Sequence, residues 1–203
     1  MLAETGLFVA LEGGDGAGKS TQARLLARRL ESTSYDVLLT REPGATDVGA
    51  EIRRLVLAPE TGTIHPRTEA LLYAADKSEH VETVLRPALA RGAVVVTDRY
   101  VDSSLAYQGG GRTSHDGLEA MLRWATGDLR PHLTVLLDVA PAEARSAGQD
   151  RIEAEGADFH TRVRDHFLAL AAADPEHYLV LDARGDREAI AAQVWARVEE
   201  LLR

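Results

Sequence analysis

An α/β fold, with a five-stranded, mainly parallel sheet and helices on both faces, follows from three features of the sequence. Short apolar runs alternate with longer stretches of helical spacing, the pattern of a parallel sheet whose crossovers are helices. The runs are rich in Val and Leu without polar alternation, as in strands buried on both faces. The stretch Gly13-Gly14-Asp15-Gly16-Ala17-Gly18-Lys19-Ser20 falls between the first such run and the first helical stretch. No repeat, low-complexity tract or linker breaks the pattern, so a single domain over residues 1–203 is expected.

Leu7 to Leu11 reads as the first strand, and Thr21 to Glu31 carries leucines and alanines at helical spacing. Val37 to Thr40 is a short second strand. It runs into Arg41-Glu42-Pro43-Gly44, a turn signature because proline fixes φ and glycine tolerates positive φ. Asp47 to Leu57 has helical spacing and carries Arg53 and Arg54. From about Arg67 to Ala90 an apolar stripe of Leu71, Leu72, Ala75, Val81, Val84, Leu85 and Leu89 predicts a long helix, with Pro87 placed to bend its last turn. Ala93 to Thr97 is a buried-type strand that delivers Asp98-Arg99-Tyr100 at its carboxyl end. Asp102 to Arg112 is polar, glycine-rich and too irregular to predict a regular element. Leu118 to Ala125 reads as helix and Leu133 to Leu137 as a strand ending in Asp138. After Pro141 comes a short charged stretch from Glu143 to Glu153. Asp158 to Ala173 is helical, Tyr178 to Leu181 is the fifth strand, and Arg187 to Leu202 closes the chain as an amphipathic helix.

With 203 residues, 45% of them hydrophobic, the chain can bury a full core. Its formal charge of −9 argues against a nucleic-acid or anionic-membrane partner, which needs a basic surface. Any phosphate binding must therefore be local. The absence of cysteine excludes disulfides, thiolate metal sites and a thiol nucleophile. Met1 to Gly6 includes Glu4 and no apolar core, and no run of 18 apolar residues occurs, so neither a signal peptide nor a membrane span is expected. The seven histidines are scattered without metal-ligand spacing.

The glycine-rich stretch satisfies G-x-x-x-x-G-K-[ST] in the required strand-to-helix context. Its glycines let backbone N–H groups turn inward around phosphate, Lys19 reaches the outer phosphates, Ser20 contributes a hydroxyl to Mg²⁺, and the helix N-terminus at Thr21 faces the anion. A three-layer P-loop NTPase fold follows. Asp98 and Asp138 both end buried strands and either could be the acidic group near Mg²⁺. Asp98 is favoured because Arg99, an anion-binding group, stands beside it. Arg41, Arg53, Arg99, Arg145 and Arg151 are candidate phosphate clamps, Arg41 and Arg99 above the rest because they follow strands at the ligand edge of the sheet. Tyr73, Tyr107 and Gln108 could stack on and hydrogen-bond a base, although a tyrosine on an apolar stripe, as Tyr73 is, is more often core. A regulatory GTPase would need N-K-x-D or T-K-x-D late in the chain, and neither occurs. What remains is a phosphoryl-transfer or nucleotide-hydrolysing protein.

The segments Val9 to Thr21, Arg41 to Gly44, Ala70 to Val81, Thr97 to Arg112 and Asp150 to Glu153 together resemble the thymidylate kinase family of P-loop nucleoside-monophosphate kinases. The most specific stretch, Asp98 to Gly109, is similar to the family's D-R-[YF]-x-x-S-x-x-A-Y-Q-G segment. The resemblance implies transfer of the ATP γ-phosphoryl group to dTMP with Mg²⁺, giving dTDP and ADP. It implies that Asp15 holds the acceptor sugar's 3′-hydroxyl and helps arrange the phosphates, and that Arg53 and Arg99 grip the acceptor phosphate. Tyr73 would stack on thymine, Gln108 and Ser104 would meet the base edge, and Tyr107 would lie where a ribose 2′-hydroxyl projects. Arg41, Pro43 and Ser103 complete the implied acceptor site. Position 17 is alanine, which points to a lid arginine over the phosphates, Arg151 first and Arg145 second, in a lid at about 142–153. A homodimer and a cytoplasmic location are also implied.

Three positions depart from the family's pattern. Lys77 stands where an arginine usually contacts the base, and an ammonium is a point charge in place of a planar fork. The stretch from Pro141 to Asp150 is shorter than the usual lid and has fewer arginines. His132 replaces the usual aspartate at a strand entry, with only a local effect expected. The alternatives carried forward are a kinase for another nucleoside monophosphate and a P-loop ATPase module without acceptor activity.

Overall fold

The computed structural model describes residues 5–110, 115–144 and 150–203. Five strands, β1 (Leu7–Glu12), β2 (Val37–Arg41), β3 (Val94–Asp98), β4 (Leu133–Asp138) and β5 (Tyr178–Asp182), form one sheet in the order β2-β3-β1-β4-β5. Every pairing is parallel. Because β1 leads to one side of the sheet and β3 leads across to β4 on the other, the strand order reverses at the carboxyl ends of β1 and β3. Open α/β sheets bind ligands at that crevice. The register sets Leu11 opposite Asp98 and Glu12 opposite Leu136, so these strand ends finish level.

Alternate residues of the central strands feed opposite layers, as a pleated strand requires. Val9, Leu11, Val94, Val96 and Val135 pack with Leu26 and Leu30 of α1 (Lys19–Ser32) and with Ile190, Val194 and Val198 of the C-terminal helix 187–201. On the other face Phe8, Ala10 and Val95 meet Val81, Leu85, Leu89 and Tyr100, while Leu136 meets Phe159, Val163 and Phe167. The continuous apolar runs of the sequence thus lie between two helical layers. His132 has the local role expected of it. The Phe8 amide donates to its Nδ1 at 2.9 Å and its own amide donates to the Phe8 carbonyl at 2.8 Å, which carries the β1–β4 pairing past the strand end.

The remaining helices in chain order are α2 (Asp47–Leu57), α3 (Pro66–His80), α4 (Arg86–Ala90), α5 (Val101–Tyr107), α6 (His115–Ala125), α7 (Ala157–Ala173) and α8 (Arg187–Leu201). Two differ from the sequence-based expectation. The long helix expected from Arg67 to Ala90 is divided by a π-type widening over Val81–Leu85. Pro87 has no N–H and its ring would strike the carbonyl four residues earlier, so the widened turn accommodates what a bend would otherwise have to. The second is α5, within the segment read as irregular. The amides of Tyr100 and Ser103 at its start donate to Glu12 Oε1 at 2.7 and 3.2 Å, so the helix is capped by a side chain from a different strand.

A buried polar layer supports the loop that follows β2. The Glu42–Pro43 bond is cis. Glu42 receives Lys77 Nζ at 2.5 Å and His80 Nδ1 at 2.8 Å, all three side chains being buried. Asp76 Oδ1 accepts the Gly44 amide at 2.9 Å, and Arg53 Nη1 donates to the Pro43 carbonyl at 2.9 Å. Asp76 Oδ2, equally buried, has no hydrogen-bond partner among the described residues. Burial and the neighbouring Glu42 carboxylate push the Asp76 carboxyl up to about 6.

That arrangement gives a pH-dependent stability. In the unfolded chain the same carboxyl titrates near about 3.9, so between about pH 4 and 6 the native state holds the extra proton. Stability from this group is present at low pH and is lost as pH rises to about 6. The Asp76→Asn variant keeps an acceptor for Gly44 without the charge. It should melt about 2–4 °C above wild type at pH 8 and no higher than wild type near pH 5, by calorimetry at the two pH values.

Candidate functional site

The loop between β1 and α1 forms the first half of the site. Gly13 has φ 135°, and a Cβ there would sit 2.4 Å from the Leu137 carbonyl oxygen, so only glycine lets the loop lie against β4. Gly18, with φ 92°, is the left-handed residue from which α1 starts at Lys19, two residues earlier than the periodicity predicts. The start of α1 lies at the cleft, whose wall Gly18, Lys19, Ser20 and Thr21 form, and the Thr21 and Gln22 amides close the first turn on the Gly18 carbonyl at 3.0 and 3.1 Å. Lys19 is buried, and its Nζ donates to the Gly14 carbonyl at 2.6 Å. Burial and the Arg99 cation lower the Lys19 ammonium to about 8, against the opposing pull of Asp15, Asp98 and Glu12. Ser20 Oγ donates to Asp98 Oδ2. Asp138, the other candidate, is instead paired through both oxygens with Arg164 at 2.7 and 2.9 Å. Of the two strand-end carboxylates, Asp98 is therefore the one beside the phosphate loop.

The second half is built on Arg99, immediately after β3. Its backbone is left-handed, with φ 72°. Nη1 donates to the Gly13 carbonyl at 3.0 Å and to Ser103 Oγ at 2.9 Å, and Nη2 donates to Asp15 Oδ1 at 2.5 Å. The Tyr107 hydroxyl donates to Asp15 Oδ2 at 2.8 Å, and the Arg99 guanidinium lies 5.1 Å from the centre of the Tyr107 ring. Burial alone would raise the Asp15 carboxyl, but Arg99, Lys19 and the Tyr107 hydroxyl outweigh it and hold it at about 2. Arg53 is weakened as an acid-base partner by burial and by the neighbouring Arg41 cation, which lower its pKa. Two guanidiniums close enough to repel are a site that an anion would stabilise.

These groups line one cleft of about 520 Å³. Its wall includes Asp15, Gly16, Gly18, Lys19, Ser20, Thr21, Arg41, Pro43, Arg53, Tyr73, Lys77, Asp98, Arg99, Ser103, Ser104, Tyr107 and Gln108, all singled out from sequence. Gly13, Gly14 and Ala17 belong to the loop but not to the wall. Lys77 reaches the wall, yet its ammonium is committed to Glu42. Glu42, Asp150, Ile152 and Glu153, from segments that carry the resemblance, also line the cleft, as do Arg24 and Leu57, which were not singled out. Arg24 sits on α1, where a surface arginine gives no periodic signal. Leu57 reads only as the last residue of a helical stretch.

Arg151 corrects an expectation. It is absent from the cleft wall, and its guanidinium is bound to Glu69, whose side chain has no exposure, while its Nε donates to the Val56 carbonyl at 2.9 Å. A fully buried carboxylate needs charge and hydrogen bonds, and Arg151 supplies them. In this conformation it pins the segment after residue 150 to α2 and α3; it does not cover the phosphate loop. Arg145 lies outside the described residues. Among the described residues, no group of three or more His, Cys, Asp or Glu side chains could hold a metal, and no helix is long and apolar enough to cross a membrane.

Comparison with known proteins agrees with this geometry. The family model described as thymidylate kinase matches residues 11–194. A thymidylate kinase of Clavibacter sepedonicus is 56% identical over 205 residues, covering 98% of this chain and 97% of that protein. One from Cutibacterium acnes is 55% identical over 200 residues, covering 97% and 98%. The crystal structure of thymidylate kinase from Ehrlichia chaffeensis superposes with a TM-score of 0.79 at 30% identity, covering 96% of this chain and 99% of that one. A match that spans both the phosphate loop and the Arg99 segment, at more than half identity over nearly the full length, means that the chain belongs to the thymidylate kinase family.

Proposed function

We propose that this protein transfers the γ-phosphoryl group of ATP to the 5′-phosphate of dTMP, giving dTDP and ADP. One observation carries the reading. Two independent sets of anion-binding groups, the phosphate loop with Lys19 on one side and Arg99 with Arg41 and Arg53 on the other, converge on a single cleft and meet at Asp15. A hydrolase needs only the first set. Phosphoryl transfer through a loose transition state asks the protein mainly for in-line positioning and charge neutralisation, and paired cationic sets provide both.

In this reading the loop amides and Lys19 hold the ATP phosphates, and Arg99 and Arg53 hold the acceptor phosphate. Asp15, kept ionised by Arg99 and Lys19, accepts the 3′-hydroxyl of the sugar. Tyr107 fills the space that a 2′-hydroxyl would need, Tyr73 covers the base, and Ser104 and Gln108 meet its edge. Lys77 acts as the floor of the base pocket through its pair with Glu42. Of the expected lid, the described stretch from Asp150 lines the cleft and is anchored by Arg151 on Glu69. Ser20 and Asp98 suit Mg²⁺, because a hydroxyl and one carboxylate already in contact are hard oxygen donors, and Mg²⁺ is commonly held by one or two such groups plus water and phosphate. When bound, the ion would neutralise charge on the outer phosphates.

A homodimer is supported by an apolar surface on three adjoining helices. Val48 and Leu55 on α2, Leu71 on α3 and Trp124 on α6 are exposed, Trp124 by 85%, while α3 and α6 pack through Ala70, Ala74, Leu118 and Leu122 beneath them. Exposed apolar side chains on helices that pack on one another, α2 on α3 and α3 on α6, are the kind of surface that serves as an interface, and a second copy of the chain offers the matching face.

Steady-state ADP release across dTMP, dUMP, UMP, CMP and AMP tests the reaction. dTMP should lead, with dUMP lower by about 10- to 200-fold for its missing methyl. Strongest turnover on a ribonucleotide would overturn the acceptor assignment, and ATP hydrolysis with no transfer to any acceptor would favour the ATPase module. Lys19→Ala and Arg99→Ala should each lose at least about 100-fold in turnover with unchanged circular dichroism; near-normal rates in either would misplace the site. Light scattering should give twice the chain mass for wild type and a single chain mass for Trp124→Glu, and a monomeric wild type would refute the dimer.

A further inference from the structure

We infer that Glu12 is a positioning residue for Arg99: from the end of β1 its carboxylate holds Arg99 by backbone and by side chain together, and so sets where the guanidinium stands against Asp15. The inference rests on the dTMP kinase reading above and adds a residue to which that reading gives no part.

Glu12 has 1% exposure, and a buried carboxylate is retained only where hydrogen bonds replace its lost water. Its direct partners are all donors around Arg99 rather than Arg99 itself. Oε1 accepts the Tyr100 amide at 2.7 Å and the Ser103 amide at 3.2 Å, and Oε2 accepts Ser103 Oγ–H at 2.6 Å. In the last bond Ser103 is the donor, and an ionised carboxylate only accepts; burial raises the Glu12 carboxyl while the Arg99 cation and these donors pull it back down. The Ser103 hydroxyl hydrogen therefore points at Glu12, leaving its lone pairs for Arg99 Nη1 at 2.9 Å. The chain Glu12–Ser103–Arg99–Asp15 has a single polarity from one end to the other.

The backbone half is separate. Arg99 is a non-glycine residue with φ 72°, a conformation that persists only where the surroundings over-determine it. The amide that follows it is the one Glu12 takes, while the Arg99 amide donates to the Leu11 carbonyl at 2.9 Å and Thr97 Oγ1 donates to the Arg99 carbonyl at 2.9 Å. Consecutive residues of β1, Leu11 and Glu12, thus hold the peptides on either side of the left-handed turn. That turn sends the side chain back over Gly13, the next residue of the same segment. The donor loop and the acceptor arginine share one rigid frame, and small errors in such alignment cost rate steeply.

The test uses the full chain and separates the two substrates. In Glu12→Gln, kcat/KM for dTMP should fall about 10- to 100-fold while KM for ATP stays within about twofold. In an Arg99→Lys background, which has no fork to align, Glu12→Gln should add less than about twofold. Ser103→Ala, which breaks only the side-chain half, should show the same dTMP-selective loss, and Ser103→Thr, which restores the hydroxyl, should recover it; this pair decides the matter if Glu12→Gln does not fold. Equal losses in both Arg99 backgrounds, an equal rise in KM for both substrates, or wild-type kinetics in both Glu12→Gln and Ser103→Ala would overturn the inference. Wild type inactive on dTMP would instead remove the functional reading beneath it.

Discussion

The contact between Arg99 and Asp15 joins the two halves of the cleft. Asp15 comes from the phosphate loop and Arg99 from the end of β3, so their ion pair locks the donor loop to the acceptor side. Both groups are largely shielded from water, where a charge pair with good geometry is strong and a missing partner is costly. Tyr107, Ser103 and the Gly13 carbonyl complete the hydrogen bonding of this pair, and each comes from an element whose position depends on the parallel register of β1 with β3.

The same contact resolves a tension in composition. A chain with formal charge −9 presents a cleft with several cations, and several acidic residues around it have a cation of their own. Glu42 belongs to Lys77, Glu69 to Arg151 and Gln108, and Asp138 to Arg164. Among the described residues, Arg24, Arg41 and Arg53 line the wall with no ion pair to a carboxylate, and the proposed reaction uses the last two.

Much of this was legible in the sequence because it is local. Continuous Val and Leu runs marked strands covered on both faces, the glycine-lysine-serine stretch marked the phosphate loop, and the Asp98 to Gly109 segment carried the acceptor side. What escaped is set by partners far along the chain. The α5 helix looked irregular because its cap, Glu12, lies 91 residues before Ser103. Arg151 looked like a lid residue because nothing near it in sequence reveals Glu69, 82 residues earlier, as its buried partner. Lys77 looked like a base contact for the same reason, its carboxylate coming from the turn after β2. The π-type turn before Pro87 was half legible, since proline announced a disturbance but not the form it took.

The neighbouring Arg41 and Arg53 guanidiniums have a practical consequence. Like charges held together by a rigid frame repel until a counter-ion settles between them, so small oxyanions are drawn to the pair whether or not they are substrates. With Arg53 proposed to hold the acceptor phosphate, sulfate and inorganic phosphate in purification or assay buffers are expected to compete with the nucleotide there. Apparent affinities for the monophosphate are properties of the protein and its buffer together.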